Sequence, residues 1–203
     1  MEILKTDSLV SSTDIVAINT IIRDSKHTVE GNCMYLHNTH LKPYGHGNRD
    51  IKLTLRRNLY TLAKKAENLL EIGLNGGHSM AVFFLANPSL RVLSFDICEH
   101  QYVEFIASYY KNKYNFEFVK GNSLETVKSY SSDQKYDVIH IDGGHDIDCV
   151  ENDLINCKKF AHNNTMLVFD DSHAPHIQRI LNEFCEKNFI VEVDYTAHHL
   201  EKC

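Results

Sequence analysis

The sequence predicts a doubly wound α/β fold, and three observations carry that expectation. From Leu69 onward, short apolar runs rich in β-branched and aromatic residues alternate with stretches of helical pattern: LLEIG, RVLSFD, FEFV, YDVIHID, TMLVFDD and FIVEVDY. This is the order of βαβ units in a mostly parallel sheet covered by helices on both faces. The first run leads into a glycine-rich turn, LNGGHS, ahead of a helical segment. Acidic residues close several of the runs, at the carboxyl edge where open α/β proteins bind ligands.

The elements follow in order. Residues 1–68 form a short helical N-terminal extension, and residues 69–203 form the core of what reads as one domain. In the extension, a helix follows the Ser12/Thr13 cap signal, a loop rich in Gly, His and Asn runs from Gly31 to Asn48, and a long helix from about Arg49 to Ala66 feeds the first strand. Its position suits a substrate cap folded over the sheet edge, with His37, His40, Tyr44 and His46 in the loop; a helical cover for the sheet's outer face is the competing reading. Crossover helices are expected around Ser79 to Leu85, Glu99 to Lys111, Leu124 to Tyr130, Asp148 to Phe160 and Pro175 to Lys187. Little sequence follows FIVEVDY, so the last sheet edge is expected to be exposed, which favours a homodimer.

Composition narrows the function classes. The 43% hydrophobic and 24% charged content over 203 residues is that of a globular domain. No run of 18 apolar residues occurs, and the N-terminus lacks the pattern of a signal peptide, so a cytoplasmic protein without membrane partners is expected. Six cysteines without CxxC spacing read as reduced thiols. The net charge of −6 argues against nucleic acid, which needs a clustered basic face. The basic residues Lys52 to Arg57, Lys64 and Lys65 read as the solvated face of a helix.

The turn after the first strand reads as a nucleotide site. Glu71 and Gly73 end the strand, and Gly76, Gly77 and Ser79 lie at the turn into a helix, whose first N–H groups suit a carboxylate or phosphate. The glycines are spaced GxxGG, which counts against the GxGxxG of nicotinamide dinucleotides. Asp96 ends the adjacent strand, where its carboxylate can accept hydrogen bonds from both ribose hydroxyls. Gly121, Asn122 and Ser123 follow the third strand, within reach of an adenine edge; helix capping is the other use of such residues. The run from LLEIG to Asp96 and beyond resembles the first two motifs of class I S-adenosylmethionine-dependent methyltransferases, a Rossmann-like family, over roughly Glu67 to Phe189. The resemblance implies Glu71, Gly73, Asn75, Gly77 and Ser79 around the methionine part of the cofactor, Asp96 on ribose, and Asn122 and Ser123 near adenine.

The reacting end lies at the next two strands. YDVIHID ends in Asp142, with His145 three residues on, and TMLVFDD ends in Asp170 and Asp171. If these strands are neighbours, the three carboxylates converge beside the cofactor's methyl group and need a cation, with magnesium or manganese suited to the oxygen donors. The pattern resembles the metal-dependent sugar O-methyltransferases of macrolide biosynthesis, which carry Asp-Gly-x-His and an acidic-Asp pair. That resemblance implies Asp142, Asp170 and Asp171 as metal ligands, with Asp142 also at the cofactor, and His145 as general base. Metal coordination and an imidazole would then activate a hydroxyl of a sugar or other small molecule. His173 reads as a surface or substrate residue and His140 as a satisfied core residue. The rival readings are a metal-independent methyltransferase on another acceptor and a non-catalytic cofactor-binding module.

Overall fold

A computed structural model describes residues 2–27, 32–35 and 52–193. Its strands are β1 Asn68–Ile72, β2 Arg91–Asp96, β3 Phe116–Lys120, β4 Tyr136–Ile141 and β5 Ala161–Phe169. Its helices are α1 Thr6–Leu9, α2 Thr13–Ser25, α3 Leu53–Lys65, α4 His78–Ala86, α5 Tyr102–Lys113, α6 Ser123–Ser129, α7 Ile147–Cys157 and α8 Pro175–Glu186. The strands form one sheet in the order β3-β2-β1-β4-β5, with every pairing parallel. Strand order reverses between β1 and β4, which places a ligand crevice there, at the carboxyl ends.

Alternation along each strand divides the apolar residues into two cores. Leu69, Val92 and Val138 pack with Ile15, Ile18, Ile22, Leu59, Phe83, Ile106 and Tyr110, from α2 to α5. Leu70, Ile72, Leu93, Phe95, Ile139 and Ile141 pack on the other face with Val127, Val150, Leu154, Ile177 and Ile180, from α6 to α8. The sheet is therefore covered on both faces, as the continuous apolar strands require.

The N-terminal segment is fastened to the core by packing and by two polar clamps. Ile15, Ile18 and Ile22 line one face of α2 and are buried, worth about 1.5–3 kcal/mol each. Asp14 of α2 accepts hydrogen bonds from Tyr109 and Tyr114 and pairs with Lys113. Burial works against its charge, but these three partners outweigh burial and hold its carboxyl below the usual range. Arg56 of α3, fully buried, donates through Nε to the Leu4 carbonyl (2.9 Å) and through Nη1 to the Cys33 carbonyl (2.8 Å). One guanidinium thus ties two chain segments to α3.

Two expectations are corrected at the ends of elements. Over the described residues the long helix preceding β1 begins at Leu53. The run FIVEVDY is not a strand over residues 189–193, and its last residues lie outside the described ones. Asn188 adopts a left-handed φ of 53° after α8; its N–H bonds the Cys185 carbonyl, and that of Phe189 bonds the Phe184 carbonyl. This Schellman closure sets Phe189 edge-on against Phe184, with ring centroids 5.0 Å apart. The apolar residues expected in a strand are used in the helix cap, and Val191 and Val193 remain exposed. Among the described residues no helix is long and apolar enough to cross a membrane.

Candidate functional site

The strand ends are held level by one further hydrogen bond each. The N–H of Gly73 reaches Phe95, Gly121 reaches Asp96, Asp142 reaches Ile72 and Asp170 reaches Ile141, at 2.8–3.0 Å. Gly73 has a φ of 94°, and a Cβ there would lie 2.0 Å from the Asp142 carbonyl oxygen, so only glycine lets β1 and β4 come together at the crevice. Gly77 caps α4 with a φ of 68°; a Cβ would meet Ile106 at 2.7 Å, so this glycine serves the packing of α4 on α5.

The turn between β1 and α4 is braced from below and from the side. Glu71 is fully buried; it accepts from Ser79 at 2.6 Å and from Ser94 at 3.3 Å, and lies 3.2 Å from His140 Nδ1. Burial disfavours a charged His140, yet the hydrogen bond and charge of Glu71, with Asp142 and Asp170 beyond, outweigh it and raise its pKa. Glu71 therefore acts from beneath the turn, holding Ser79. Asp96 accepts from the Asn75 N–H at 2.8 Å and the Cys98 N–H at 2.6 Å, so it ties the turn to the tip of β2. Its burial raises the carboxyl pKa despite these bonds. Asn75 has a φ of 44° and its side chain accepts from Tyr102 at 2.6 Å. Asn122 caps α6 through the Leu124 N–H at 3.0 Å. Ser123 opens α6 beside the buried Asp153, whose carboxyl burial pushes up to about 6.

A cleft opens above the turn. Gly73 to Ser79, His140, Asp142 and Asp170 line it from the core, and Asn32, Cys33, Leu55 and Leu59 line it from the N-terminal segment. Asp142 and Asp170 follow the paired residues Ile141 and Phe169 and so stand side by side. Burial raises the Asp142 carboxyl well above the usual range, and the neighbouring acids add to this against the opposing charge of His140. The Cys33 thiol is pushed up to about 12 by burial, which removes it as a nucleophile.

The three expected metal ligands do not come together. Asp171 has a left-handed φ of 51°, which turns it from the cleft; its Oδ2 lies 3.3 Å from His145 Nε2 and its Oδ1 lies 3.9 Å from His173. His145 is half exposed and lines a separate depression with Ile147 and His176, not the cleft. Among the described residues no group of three His, Cys, Asp or Glu side chains is placed to hold a metal. The donors as arranged do not fit a three-carboxylate site. His173 is largely exposed and His140 is a satisfied core residue. His37, His40, Tyr44 and His46 lie outside the described residues.

Asn32, Cys33, Leu55, Leu59 and His78 enter the cleft without having been singled out in the sequence. For His78 the signal was its place directly after the glycine turn. The others come from distant segments, and no local pattern marks them.

The comparisons with known proteins agree with this fold. A cofactor-bound protein from MTB, Rv0187, shares the fold with a TM-score of 0.60 at 18% identity, over 89% of this chain and 84% of that one. The O-methyltransferase TomG from Streptomyces achromogenes, solved with its cofactor SAM, matches with a TM-score of 0.57 at 17% identity, over 87% and 78%. The SAH-bound methyltransferase PaMTH1 of Podospora anserina matches with a TM-score of 0.56 at 12% identity, over 87% and 79%. No curated protein sequence matches the chain. A family model described as a methyltransferase domain matches residues 70–172, from β1 through the Asp170/Asp171 turn and so across the whole crevice. With half of its length inside that match, the chain belongs to this family of methyltransferase domains.

Proposed function

We propose that the protein is an S-adenosylmethionine-dependent O-methyltransferase acting on a hydroxyl of a small molecule, with sugars among the acceptors to be tried first. The observation that carries this reading is the pair Asp142 and Asp170, side by side at the crevice and sharing one cleft with the Gly73 to Ser79 turn. Two adjacent carboxyls can accept hydrogen bonds from an acceptor hydroxyl and orient its oxygen. The fold shared with TomG, an O-methyltransferase, supports oxygen as the nucleophile.

The cofactor fits the residues present. The turn leaves room for a ligand backbone, and Asp96 stands at the tip of the adjacent strand with its carboxylate turned toward the turn amides. When bound, S-adenosylmethionine supplies an electrophilic methyl group on a sulfonium. The residues would bind and orient: Ser79 and the first amides of α4 at the methionine end, Asp96 at ribose, Asn122 and Ser123 at adenine. His145 lines the neighbouring depression, so its loop would have to swing toward the cleft when substrate binds. From there it would take the hydroxyl proton as the C–O bond forms and the C–S bond breaks, with Asp171 orienting the imidazole in place of its expected role at a metal. No step of this reading passes through a metal ion.

The test is methyl transfer from labelled cofactor to a panel of free and nucleotide-linked sugars, catechols and other hydroxyl compounds, with magnesium or with EDTA. A methyl ether formed equally in both supports the reading. Strict dependence on magnesium would restore a metal to the mechanism, and methylation of nitrogen acceptors alone would overturn the assignment to oxygen.

A further inference from the structure

A chain of hydrogen bonds links the N-terminal segment to the glycine turn, and both of its ends finish in the same cleft. Asn32 Oδ1 accepts the N–H groups of Met34, at 2.8 Å, and of Tyr35. The Tyr35 hydroxyl accepts from Asn19 Nδ2 at 2.6 Å, and Asn19 Oδ1 faces His78 Nε2 at 3.1 Å. The Tyr35 ring also stands edge-on to the His78 ring, 5.1 Å away. Two atoms are left over: Asn32 Nδ2 and His78 Nδ1, both buried and neither with a hydrogen-bond partner. Both residues line the cleft above the turn.

The chemistry of these two ends is opposite and fixed. Burial pulls the His78 pKa down to about 3, so the ring is neutral. With Nε2 directed at a carbonyl oxygen, Nε2 carries the proton and Nδ1 is an acceptor. Asn32 Nδ2 is a donor. Buried polar atoms without partners cost about 1–3 kcal/mol each and call for a ligand or water. Gly76 leaves the approach to His78 open, since a Cβ there would lie 2.8 Å from Nδ1.

A donor and an acceptor in one cleft at a helix start match a zwitterionic amino-acid group. We propose that Asn32 and His78 together read the amino-acid end of the cofactor, Asn32 donating to its α-carboxylate and His78 accepting from its α-ammonium group. This rests on the cofactor reading above and extends it: Asn32, Tyr35 and Asn19 make the N-terminal segment part of the cofactor site and select against nucleosides that lack the amino acid.

Equilibrium binding of S-adenosylhomocysteine and of 5′-methylthioadenosine, which keeps the adenosine and thioether but lacks the amino-acid end, tests this on the full chain. The wild type should favour the homocysteine compound by about ten- to hundredfold. Asn32→Ala and His78→Ala should narrow that ratio while binding of methylthioadenosine is retained, which also shows that the variants fold. Gly76→Ala, whose methyl would lie 2.8 Å from the His78 ring and so displace Nδ1, should do the same. In ¹⁵N spectra the His78 Nδ1 resonance should move toward a hydrogen-bonded position with the homocysteine compound and stay in place with methylthioadenosine. Equal affinity of the wild type for both compounds, or an unchanged ratio in all three variants, would overturn the proposal and leave the cofactor reading intact. Failure of the wild type to bind either compound would overturn both.

Discussion

Glu71 and His140 face each other in register across the pairing of β1 and β4, 3.2 Å apart, and neither side chain reaches solvent. The pair lies directly beneath the cleft, so its charge state is set by the fold and felt by the site. Glu71→Ala would strand Ser79, Ser94 and His140 without their common acceptor and should cost about 3–5 kcal/mol in denaturant unfolding. His140 has its pKa raised in the fold, so its stabilising effect is full below the unfolded imidazole range and is lost as pH rises through the folded value. Glu71→Gln should flatten that part of the stability profile. A wild-type profile in this variant would separate the two residues energetically.

Asp153 shifts stability in the same direction with pH, but through burial and not through a partner. Burial raises its carboxyl from 3.8 to about 6, and although Ser123 lies close enough to lower it in part, neither oxygen makes a hydrogen bond of normal geometry. A raised carboxyl pKa favours the protonated folded state, so stability should fall between about pH 4 and pH 6 and stay lower above that, by up to about 3 kcal/mol. Asp153→Asn should remove this slope and raise the melting temperature at pH 7.5 more than at pH 4. Melting curves at the two values decide it; an equal change at both would deny the titration.

Gly73→Ala tests the closeness of β1 and β4. The added methyl would overlap the Asp142 carbonyl oxygen, and the left-handed backbone adds strain, so the variant should lose about 3 kcal/mol or more or fail to accumulate as folded protein. Gly76→Ala, whose methyl would meet the His78 side chain and no backbone, is the comparison and should lose less. Matching stability for Gly73→Ala would mean that the strands can part without cost.

The pairing of His145 with Asp171 gives the reacting end its own test. His145→Ala should lower kcat by about 10²- to 10⁴-fold with cofactor affinity unchanged, and Asp171→Asn should lower it less, as expected when a partner only orients the base. If Asp171→Asn instead abolished turnover and EDTA did so in the wild type, Asp171 would belong to a metal site formed only with substrate.

Much of this was legible in the sequence because periodicity and strand-end acids are local signals. The five described strands, the helices between them and the crevice positions of Gly73, Asp96, Asp142 and Asp170 all follow from such patterns. What failed depended on single backbone angles. The left-handed φ at Asp171 parts it from Asp170, and the left-handed φ at Asn188 turns FIVEVDY into a helix cap. What was missed depended on long-range placement. Asn32 and Asn19 reach the glycine turn only because Arg56 and Asp14 fasten their segments to the core. Glu71 was legible as a strand-end acid, but its burial between Ser94 and His140 required the strand order.

The pairing of β1 with β4 sets a timetable for the nascent chain. Residues Ile72 and Ile141 lie about seventy positions apart, while β1, β2 and β3 are consecutive neighbours. The first three strands and the helices between them can dock as they leave the ribosome, but β1 keeps one open edge until β4 has been made. That edge is apolar and unprotected for the whole interval, the condition in which a growing chain pairs wrongly or recruits a chaperone. The crevice therefore exists only once β4 has been made, with β5 still to join beyond it, and slow synthesis at any point between β1 and β4 would prolong the exposure of β1.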